Sequence, residues 1–392
     1  MGILEKVNKE KVLQLRRHFH MYPEVAFKEF ETTKYIVEQL EAFPGVEILR
    51  PTPTGVVAVL DSGKPGPVIG LRADIDALPI MEEADVPFRS KNDGVMHACG
   101  HDCHGAMLLG ALEMLYNQKD SLKGKVKFIF QHAEELIPGG AGQLCKAGIL
   151  DDVQVFYGSH VFLDEPVGTV ASVFGPLFAN ADTFDIVVQG KGTHAARPEA
   201  GIDSLLIGTE IVQALNYIVS RQVSAFKQAV VTIGAFNSGS IYNVVPDTAK
   251  IMGTVRTFDQ DVRNTIEARI KDMADGICSA YGATCTVTYQ RGYDAVVNDE
   301  DLYHFFNKTA KKYISDINIT EMQPLMGGED FSAYAKIAPS FFAVIGACPK
   351  EGEQYGGHHP KFVLDEDCLP IGTALYAAFA LEIMESGLPK LV

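Results

Sequence analysis

Hydrophobic residues in the first half of the chain recur with two different periods. Apolar side chains spaced three and four residues apart predict two opening helices, which Pro23 separates. A helix with one buried face is predicted from Cys103 to Tyr116. Short apolar runs predict strands at Val46–Leu49, Gly55–Leu60, Val68–Leu71, Val126–Phe130 and Val153–Tyr157. Short buried strands between helices indicate an α/β fold whose mostly parallel sheet is covered by helices.

The pattern changes at about Asn180. The next predicted elements are strand, helix, strand, strand, helix and strand, at Phe184–Val188, Ser204–Ile218, Ala229–Phe236, Ile251–Phe258, Val262–Ala280 and Ala283–Tyr289. This βαββαβ order is typical of a ferredoxin-like α+β domain. The α/β style resumes after about Tyr293, with a strand at Phe341–Ile345 and a terminal helix from about Pro370. We therefore predict one domain from residues 1–179 and 293–392, interrupted by an inserted domain at 180–292.

Composition and charge narrow the class of protein. A chain of 392 residues, 47% of them hydrophobic, suits a globular protein of two domains, and we expect no segment long enough to span a bilayer. The net charge of −16 argues against nucleic acid or an anionic membrane as partner, because both require clustered Lys and Arg. The charged N-terminal segment lacks an apolar signal core, so the seven cysteines are expected to be reduced. These features predict a cytoplasmic protein.

Residues that bind metals or transfer protons collect after the predicted strands. Asp74 and Asp76 follow one strand, Glu134 and Glu135 follow another, and His160 follows a third. Because ligands of open α/β sheets bind outside the carboxyl ends of the strands, we expect these side chains to share one edge. Taken singly, the histidine fits a structural role, the glutamate pair fits the first turn of a helix, and Asp76 fits a turn. Their joint placement favours a site.

A segment rich in histidine and cysteine supplies further ligand types. Cys99 and His101 alternate on a predicted extended segment, so both should face one point, with Gly100 leaving room between them. Thiolate and imidazole are good zinc ligands. A second histidine-rich loop contains His358 and His359. A cysteine nucleophile is the alternative for Cys99, but it needs one histidine base, whereas this edge offers several histidines and a carboxylate pair.

Together these motifs resemble the M20 metallopeptidase superfamily. The matching segments, in chain order, are Arg72–Pro79, His97–Asp102, Ala133–Glu135, Gly190–Ala196, Asn243–Asp247, Gly253–Arg256, Met326–Phe331 and His358–Phe362. The most similar branch contains the amidohydrolases, among them aminoacylases, hippurate hydrolases, auxin-conjugate hydrolases and N-acetyldiaminopimelate deacetylases. The resemblance runs from about Arg16 to the terminal helix.

The resemblance implies a role for each matching residue. The metal ligands would be Cys99, His101, Glu135, His160 and His358. Glu134 resembles the general base of the family, and Asp74 the carboxylate that supports the metal site. The residues implied to bind substrate are His194, Asn243 and Arg256. They lie in the inserted domain, which in the family acts as a lid and makes the dimer.

The implied reaction is hydrolysis of the amide bond of a small N-acyl amino acid, with two divalent metal ions per subunit. Zinc fits the thiolate and imidazole ligands best, and manganese, cobalt and nickel are alternatives. Two other functions stay open. One is a dipeptidase or aminopeptidase of the same superfamily, and the other is a non-catalytic, metal-binding dimeric regulatory protein.

Three positions depart from the family pattern or leave a choice. Arg72 stands where most of the superfamily has a ligand histidine. His132 stands where relatives carry proline, and its place beside the metal, in solvent or in the core is open. His359 competes with His358 as a ligand, although the spacing to Pro360 favours His358.

Overall fold

The computed structural model describes residues 2–389 of the chain. Its helices are α1 (Lys9–Met21), α2 (Phe30–Leu40), α3 (His101–Tyr116), α4 (Ala141–Lys146), α5 (Ser204–Gln222), α6 (Gln260–Ala280), α7 (Glu300–Tyr313) and α8 (Cys368–Ser386). Short 3₁₀ helices lie at Ile3–Lys6, Lys119–Ser121, Pro198–Ala200 and Asp330–Lys336. The strands are β1 (Glu47–Leu49), β2 (Val56–Asp61), β3 (Val68–Asp74), β4 (Lys125–Gln131), β5 (Val155–Pro166), β6 (Thr169–Ser172), β7 (Gly175–Phe178), β8 (Asn180–Gln189), β9 (Thr193–His194), β10 (Ala229–Ser238), β11 (Val244–Val245), β12 (Thr248–Thr257), β13 (Thr284–Tyr293), β14 (Val296–Asn298), β15 (Asn318–Glu321) and β16 (Ser340–Cys348).

The chain forms two compact units, of which unit 1 contains the residues up to Leu177, Val296–Gln323 and the residues from Asp330 onwards. Its main sheet has eight strands in the order β1-β2-β4-β3-β5-β16-β6-β15. The central strands β4, β3, β5 and β16 are parallel, as the predicted α/β fold requires. The short strands β6, β7, β9, β11, β14 and β15 were not predicted, because strands of two to four residues seldom show a period.

Helix α8 corrects one expectation from the sequence. It reaches the length and apolar composition of a membrane span, with a mean hydropathy of 1.3, although no such segment was expected. Within unit 1, however, 72% of its apolar 18-residue stretch is buried, and the helix packs against α3. A helix that is apolar all round is either a core helix or a membrane span, and this burial is that of a core helix.

Unit 2 contains Phe178–Ala295 and the short segment Pro324–Glu329. Its four strands form an antiparallel sheet in the order β10-β12-β8-β13, and α5 and α6 pack on it through one apolar core. The predicted βαββαβ order is confirmed by β8, α5, β10, β12, α6 and β13, with the two-residue strands β9 and β11 between them. Each helix begins at an aspartate whose carboxylate accepts backbone N–H groups of the first turn, Asp203 for α5 and Asp259 for α6.

Candidate functional site

The segment that carries Cys99 changes direction at the next residue. Gly100 has a left-handed φ of 92°, and a Cβ atom there would lie 2.4 Å from the Val161 side chain. His101 is therefore the first residue of α3 and does not continue an extended segment. The predicted alternation was wrong because the left-handed glycine ends the extended path. The thiol of Cys99 and the ring of His101 nevertheless lie within 4.8 Å of each other.

The rings of His160 and His101 each have one nitrogen near this thiol and the other bound to the backbone. His160 lies inside β5, with its Nδ1 2.8 Å from the carbonyl oxygen of Val161 and its Nε2 3.3 Å from Cys99 Sγ. The Nδ1 of His101 lies 3.0 Å from the carbonyl oxygen of Asp76. Because a carbonyl oxygen only accepts hydrogen bonds, each Nδ1 carries a proton, and Nε2 is the nitrogen that is left to bind a metal ion. A backbone-oriented imidazole of this kind is a typical metal ligand.

Glu135 and His358 lie on the other side of Cys99. The His358 Nε2 is 3.2 Å from Glu135 Oε1, and the His358 backbone N–H donates to the carbonyl of Ala98 at 2.7 Å. Ligand atoms of Cys99, Glu135 and His358 all lie within 4.8 Å of one another, as do those of Cys99, His101 and His160. The five predicted ligands therefore form two overlapping sets that share Cys99.

Two further histidines are engaged elsewhere. His359 accepts the backbone N–H of Lys361 through Nδ1 at 3.1 Å, and its ring stacks on Tyr355. Of the adjacent histidines 358 and 359, the structure thus brings His358 to the cluster. His132 is buried, with Nε2 3.2 Å from the amide oxygen of Gln143 and its ring against Phe27. This places His132 in the core.

The chemistry of the cluster fits divalent cations. Among residues 2–389 the buried Nε2 of His101 has no hydrogen-bond partner, and it lies 3.9 Å from Glu135 Oε1. Hydrogen bonds to Cys99 and Glu135 raise the pKa of His358 to about 10. Burial lowers the pKa of His101, but the charge of Asp74 outweighs it and raises that pKa well above its usual value. The thiol and carboxylates thus attract positive charge, and sulfur, nitrogen and oxygen donors suit zinc.

Asp74 supports the cluster through a second histidine of α3. Its Oδ1 lies 2.5 Å from the Nδ1 of His104, whose Nε2 accepts the backbone N–H of Val161 beside His160. Burial raises the pKa of Asp74, but the charges of His101, Arg72 and His104 outweigh burial and hold it well below the usual value. The sequence analysis missed His104, although a spacing of three residues from His101 on a helix was a usable signal.

Arg72 occupies the position where the family pattern has a ligand histidine, and it lies outside both ligand sets. The guanidinium is fully buried and donates to Asp74 at 2.8 Å, to Asp330 at 3.0 Å and to the amide oxygen of Gln131 at 2.8 Å. Its fixed charge compensates two buried carboxylates. The sequence analysis did not identify Asp330 as a partner of this arginine, because the two residues are far apart in the chain.

Replacing Arg72 with methionine should lower the free energy of unfolding by about 3–5 kcal/mol, because two buried carboxylates lose their counter-charge. Urea unfolding of the chelated protein measures the change. Arg17 is the matched control, since its guanidinium binds Glu366 at a partly exposed position. Arg17→Met should cost about 1 kcal/mol or less. Equal losses in the two variants would contradict the structural role of Arg72.

Glu134 follows β4 in a loop, not in the first turn of a helix. Its side chain is buried, and a carboxylate oxygen lies within 4.8 Å of ligand atoms of both His101 and Glu135. The backbone N–H of Glu135 donates to Asp76 Oδ2 at 2.9 Å. Glu134 therefore forms a third group with His101 and Glu135, beside the two sets that share Cys99, in a position to exchange protons with a bound molecule.

The predicted substrate-binding residues all lie in unit 2. His194 and Asn243 are adjacent, because β9 pairs with β11 and the Ala195 N–H donates to the carbonyl of Asn243 at 3.1 Å. His194 is exposed, and its Nδ1 accepts the N–H of Ala196 at 3.0 Å. Arg256 lies on β12, where it is partly buried and donates to the carbonyl of Asp182 at 3.3 Å. The structure thus brings the first two together within this unit.

Comparison with known proteins gives consistent matches over most of the chain. The chain is 39% identical over 384 residues to the N-acetylcysteine deacetylase of Bacillus subtilis, covering 97% of this chain and 99% of that protein. It is 43% identical over 293 residues to the N-acyl-L-amino acid amidohydrolase of Geobacillus stearothermophilus, covering 75% and 79%. The crystal structure of Bacillus subtilis YXEP, described as a dinuclear metal-binding peptidase, matches with 37% identity and a TM-score of 0.82 over 96% and 98% of the chains. Residues 70–382 match peptidase family M20/M25/M40, and the chain belongs to that family.

Proposed function

We propose that this chain is a metal-dependent amidohydrolase that cleaves the amide bond of small N-acyl amino acids. The observation that carries the proposal is the buried Glu134 carboxylate beside a cluster of five metal-ligand side chains. Relatives named for N-acetylcysteine and N-acyl-L-amino acids support this class of substrate. All seven cysteines are unpaired, which supports a reducing compartment, and we propose the cytoplasm.

The proposed ligands of two divalent cations are Cys99, His101, Glu135, His160 and His358. Their mixture of thiol, imidazole and carboxylate favours zinc, with manganese, cobalt and nickel as alternatives. Bound to these residues, two cations would lower the pKa of water and polarise the carbonyl group of the scissile amide. Asp74 keeps its charge next to the ligands and, through His104, fixes the backbone that carries His160.

Glu134 would act as the general base. Its carboxylate accepts a proton from the attacking water and returns it to the leaving nitrogen, so the amine departs neutral. Glu135 stays ionised as a ligand, because hydrogen bonding to His358 and the charge of His101 lower its pKa in spite of burial. The two adjacent glutamates thereby have different tasks.

Unit 2 would supply the groups that hold the substrate. Because Nδ1 of His194 accepts a backbone N–H, the N–H group of the ring is at Nε2 and can donate to the negative charge that develops on the carbonyl oxygen. Arg256 would bind the substrate carboxylate through its guanidinium, and Asn243 would hydrogen bond through its amide.

A substrate panel tests this function against its alternatives. Chelated protein would be reconstituted with zinc, manganese, cobalt or nickel and assayed with N-acetyl and N-benzoyl amino acids and with free-amine dipeptides. We expect turnover of the N-acyl compounds and two bound ions per chain. Preference for dipeptides would favour a dipeptidase or aminopeptidase. Metal binding without turnover of either class would favour a regulatory protein.

We further propose that two copies of the chain associate through unit 2. Strand β10 is an edge strand of ten residues without a charged side chain, and Val230 and Phe236 are partly exposed on it. A long uncharged edge readily pairs with another strand. Leu206 and Tyr217 are exposed on α5 and add apolar surface. A second copy of unit 2 is the partner that fits this surface.

If His194 acts in the site of the neighbouring subunit, two inactive variants should complement each other. Glu134→Ala and His194→Ala would each be nearly inactive alone and would be refolded together. In a mixed dimer, the intact Glu134 belongs to the His194→Ala subunit, which receives its histidine from the partner. Recovery should approach about one active site in four for random pairing of equal amounts. No recovery in a sample shown to contain mixed dimers would exclude a shared site.

A further inference from the structure

The loop that carries Glu134 has an unusual backbone at the preceding residue. Ala133 adopts a left-handed φ of 50°, which is unfavourable for any residue with a Cβ atom. Its carbonyl accepts the N–H of Gly140 at 3.0 Å, and its own N–H points into the interior of unit 1. Such a conformation persists only where surrounding contacts hold it. The direction of the Glu134 side chain therefore depends on what binds the backbone of Ala133.

The group that binds it is a buried carboxylate from a distant part of the chain. Glu29 Oε1 accepts the N–H of Ala133 at 2.8 Å and also the N–H of Phe27 at 3.0 Å. Phe27 is itself left-handed, with a φ of 64°. One oxygen atom thus fixes two unfavourable backbone conformations. The side chain of Glu29 is fully buried, so water does not compete for these hydrogen bonds.

The Glu29 side chain is available for this contact because it does not cap the helix that follows it. It is the N-cap residue of α2, yet its side chain makes no capping hydrogen bond to that helix. Glu24 supplies the cap instead, since its Oε2 accepts the N–H of Thr32 at 2.8 Å and the hydroxyl of Thr32 at 2.9 Å. Helix α2 is therefore capped by one glutamate, which leaves the other to bind Ala133.

We propose that Glu29 is a positioning residue that fixes the backbone of Ala133 and so aims the Glu134 carboxylate. The inference rests on the proposed role of Glu134 as general base. Two carboxylates hold the residues on either side of Glu134, with Glu29 on the N–H of Ala133 and Asp76 on the N–H of Glu135. Glu29 itself touches neither substrate nor metal ligand, and it acts only through the backbone.

The test compares Glu29→Leu, Glu29→Asp and Glu29→Gln. Leucine removes the acceptor, aspartate withdraws it by one methylene, and glutamine keeps an oxygen in place. Burial raises the pKa of Glu29 to about 7, so the neutral amide is a fair copy of a group that carries a proton part of the time at neutral pH. We expect kcat to fall about 10- to 100-fold in the leucine and aspartate variants, with KM within about threefold, and to recover in the glutamine variant.

Amide hydrogen exchange on the metal-free proteins gives a readout that does not depend on turnover. The amide of Ala133 should exchange at least about tenfold faster in Glu29→Leu and Glu29→Asp than in the wild type, and at the wild-type rate in Glu29→Gln. Because the aspartate variant keeps a buried carboxyl group, it serves if the leucine variant fails to fold. In the metal-loaded samples used for kinetics, the metal content of every variant is measured and should equal that of the wild type.

Glu24→Ala is the matched control, because it removes the cap of α2 and leaves the Ala133 contact in place. It should lower stability without changing kcat. An equal loss of kcat in Glu24→Ala and Glu29→Leu, or unchanged exchange at Ala133 in both acceptor-deficient variants, would overturn the inference. If Glu134→Gln keeps its activity, the proposed role of Glu134 as general base fails instead, and the exchange result still decides whether Glu29 holds the loop.

Discussion

Replacing Glu134 with glutamine is expected to lower kcat by about 10²- to 10⁴-fold, because the amide cannot accept the proton of the attacking water. The side chain keeps its size, and Glu134 lies outside the two ligand sets that share Cys99. Metal content, measured by elemental analysis, should therefore stay at the wild-type value. Steady-state kinetics with an N-acyl amino acid measure the effect.

The adjacent residue provides the contrast. Glu135→Gln removes a negative ligand that lies 3.2 Å from His358, so this variant should lose metal as well as activity. Glu31→Gln, an exposed change on α2, should alter neither quantity. Near-normal turnover in Glu134→Gln would remove this glutamate from the mechanism. Loss of metal in Glu134→Gln would instead make it a ligand.

Replacing Cys99 with serine should weaken metal binding by more than about 100-fold, since a direct ligand matters more than the residues that orient ligands. Its Sγ belongs to both ligand sets, so both ions should be affected. In the wild type, bound metal should protect this thiol from alkylation, and chelation should expose it. Burial and the charge of Glu135 raise the pKa of Cys99, so after chelation its labelling rate should increase as the pH rises.

Cys145→Ser is the control for Cys99, because Cys145 is partly exposed in the same unit and belongs to neither ligand set. Its replacement should leave metal content unchanged, and its labelling should not respond to chelation. Mass spectrometry of alkylated peptides separates the two cysteines. If Cys99→Ser keeps its full metal content and the wild type traps no covalent intermediate, then neither the ligand nor the nucleophile interpretation of Cys99 stands.

The sequence predicted those features that depend on local pattern. The runs Val68–Leu71 and Val126–Phe130 lie in the parallel strands β3 and β4, because buried strands are mostly apolar, and Lys127 is the one charged residue in these two runs. Ligand-type residues that follow such strands were expected to share one edge, and Asp74, Glu134 and Glu135 each have a carboxylate oxygen within 4.8 Å of a ring nitrogen of His101. Helix α8 lacks a polar face, so its burial could be seen only in the folded unit.

Contacts between distant segments could not be predicted. Glu29 and Ala133 are separated by 104 residues, and nothing in the composition around Glu29 marks it as part of the loop that carries Glu134. In the sequence, Arg72 indicated only that a ligand histidine is missing. Its partners Asp330 and Gln131 could be identified only in the folded unit, where the sheet brings these segments together. The left-handed turn at Gly100 places His101 at the start of α3. The sequence did not predict this turn, because a hydrophobic period does not report the backbone dihedral angles of one glycine.

The position of β16 in the main sheet affects how the chain folds while it is being synthesised. Strand β5 pairs on one side with β3, which precedes it, and on the other with β16, which begins only at Ser340. A nascent chain therefore completes the four long strands of unit 2, the last of which ends at Tyr293, before the ribosome delivers the second partner of β5. During that interval the apolar edge of β5 stays open to pairing with other chains. Slow translation through unit 2 would lengthen this exposure. Chaperones that bind nascent strands therefore matter most between the synthesis of β5 and the synthesis of β16.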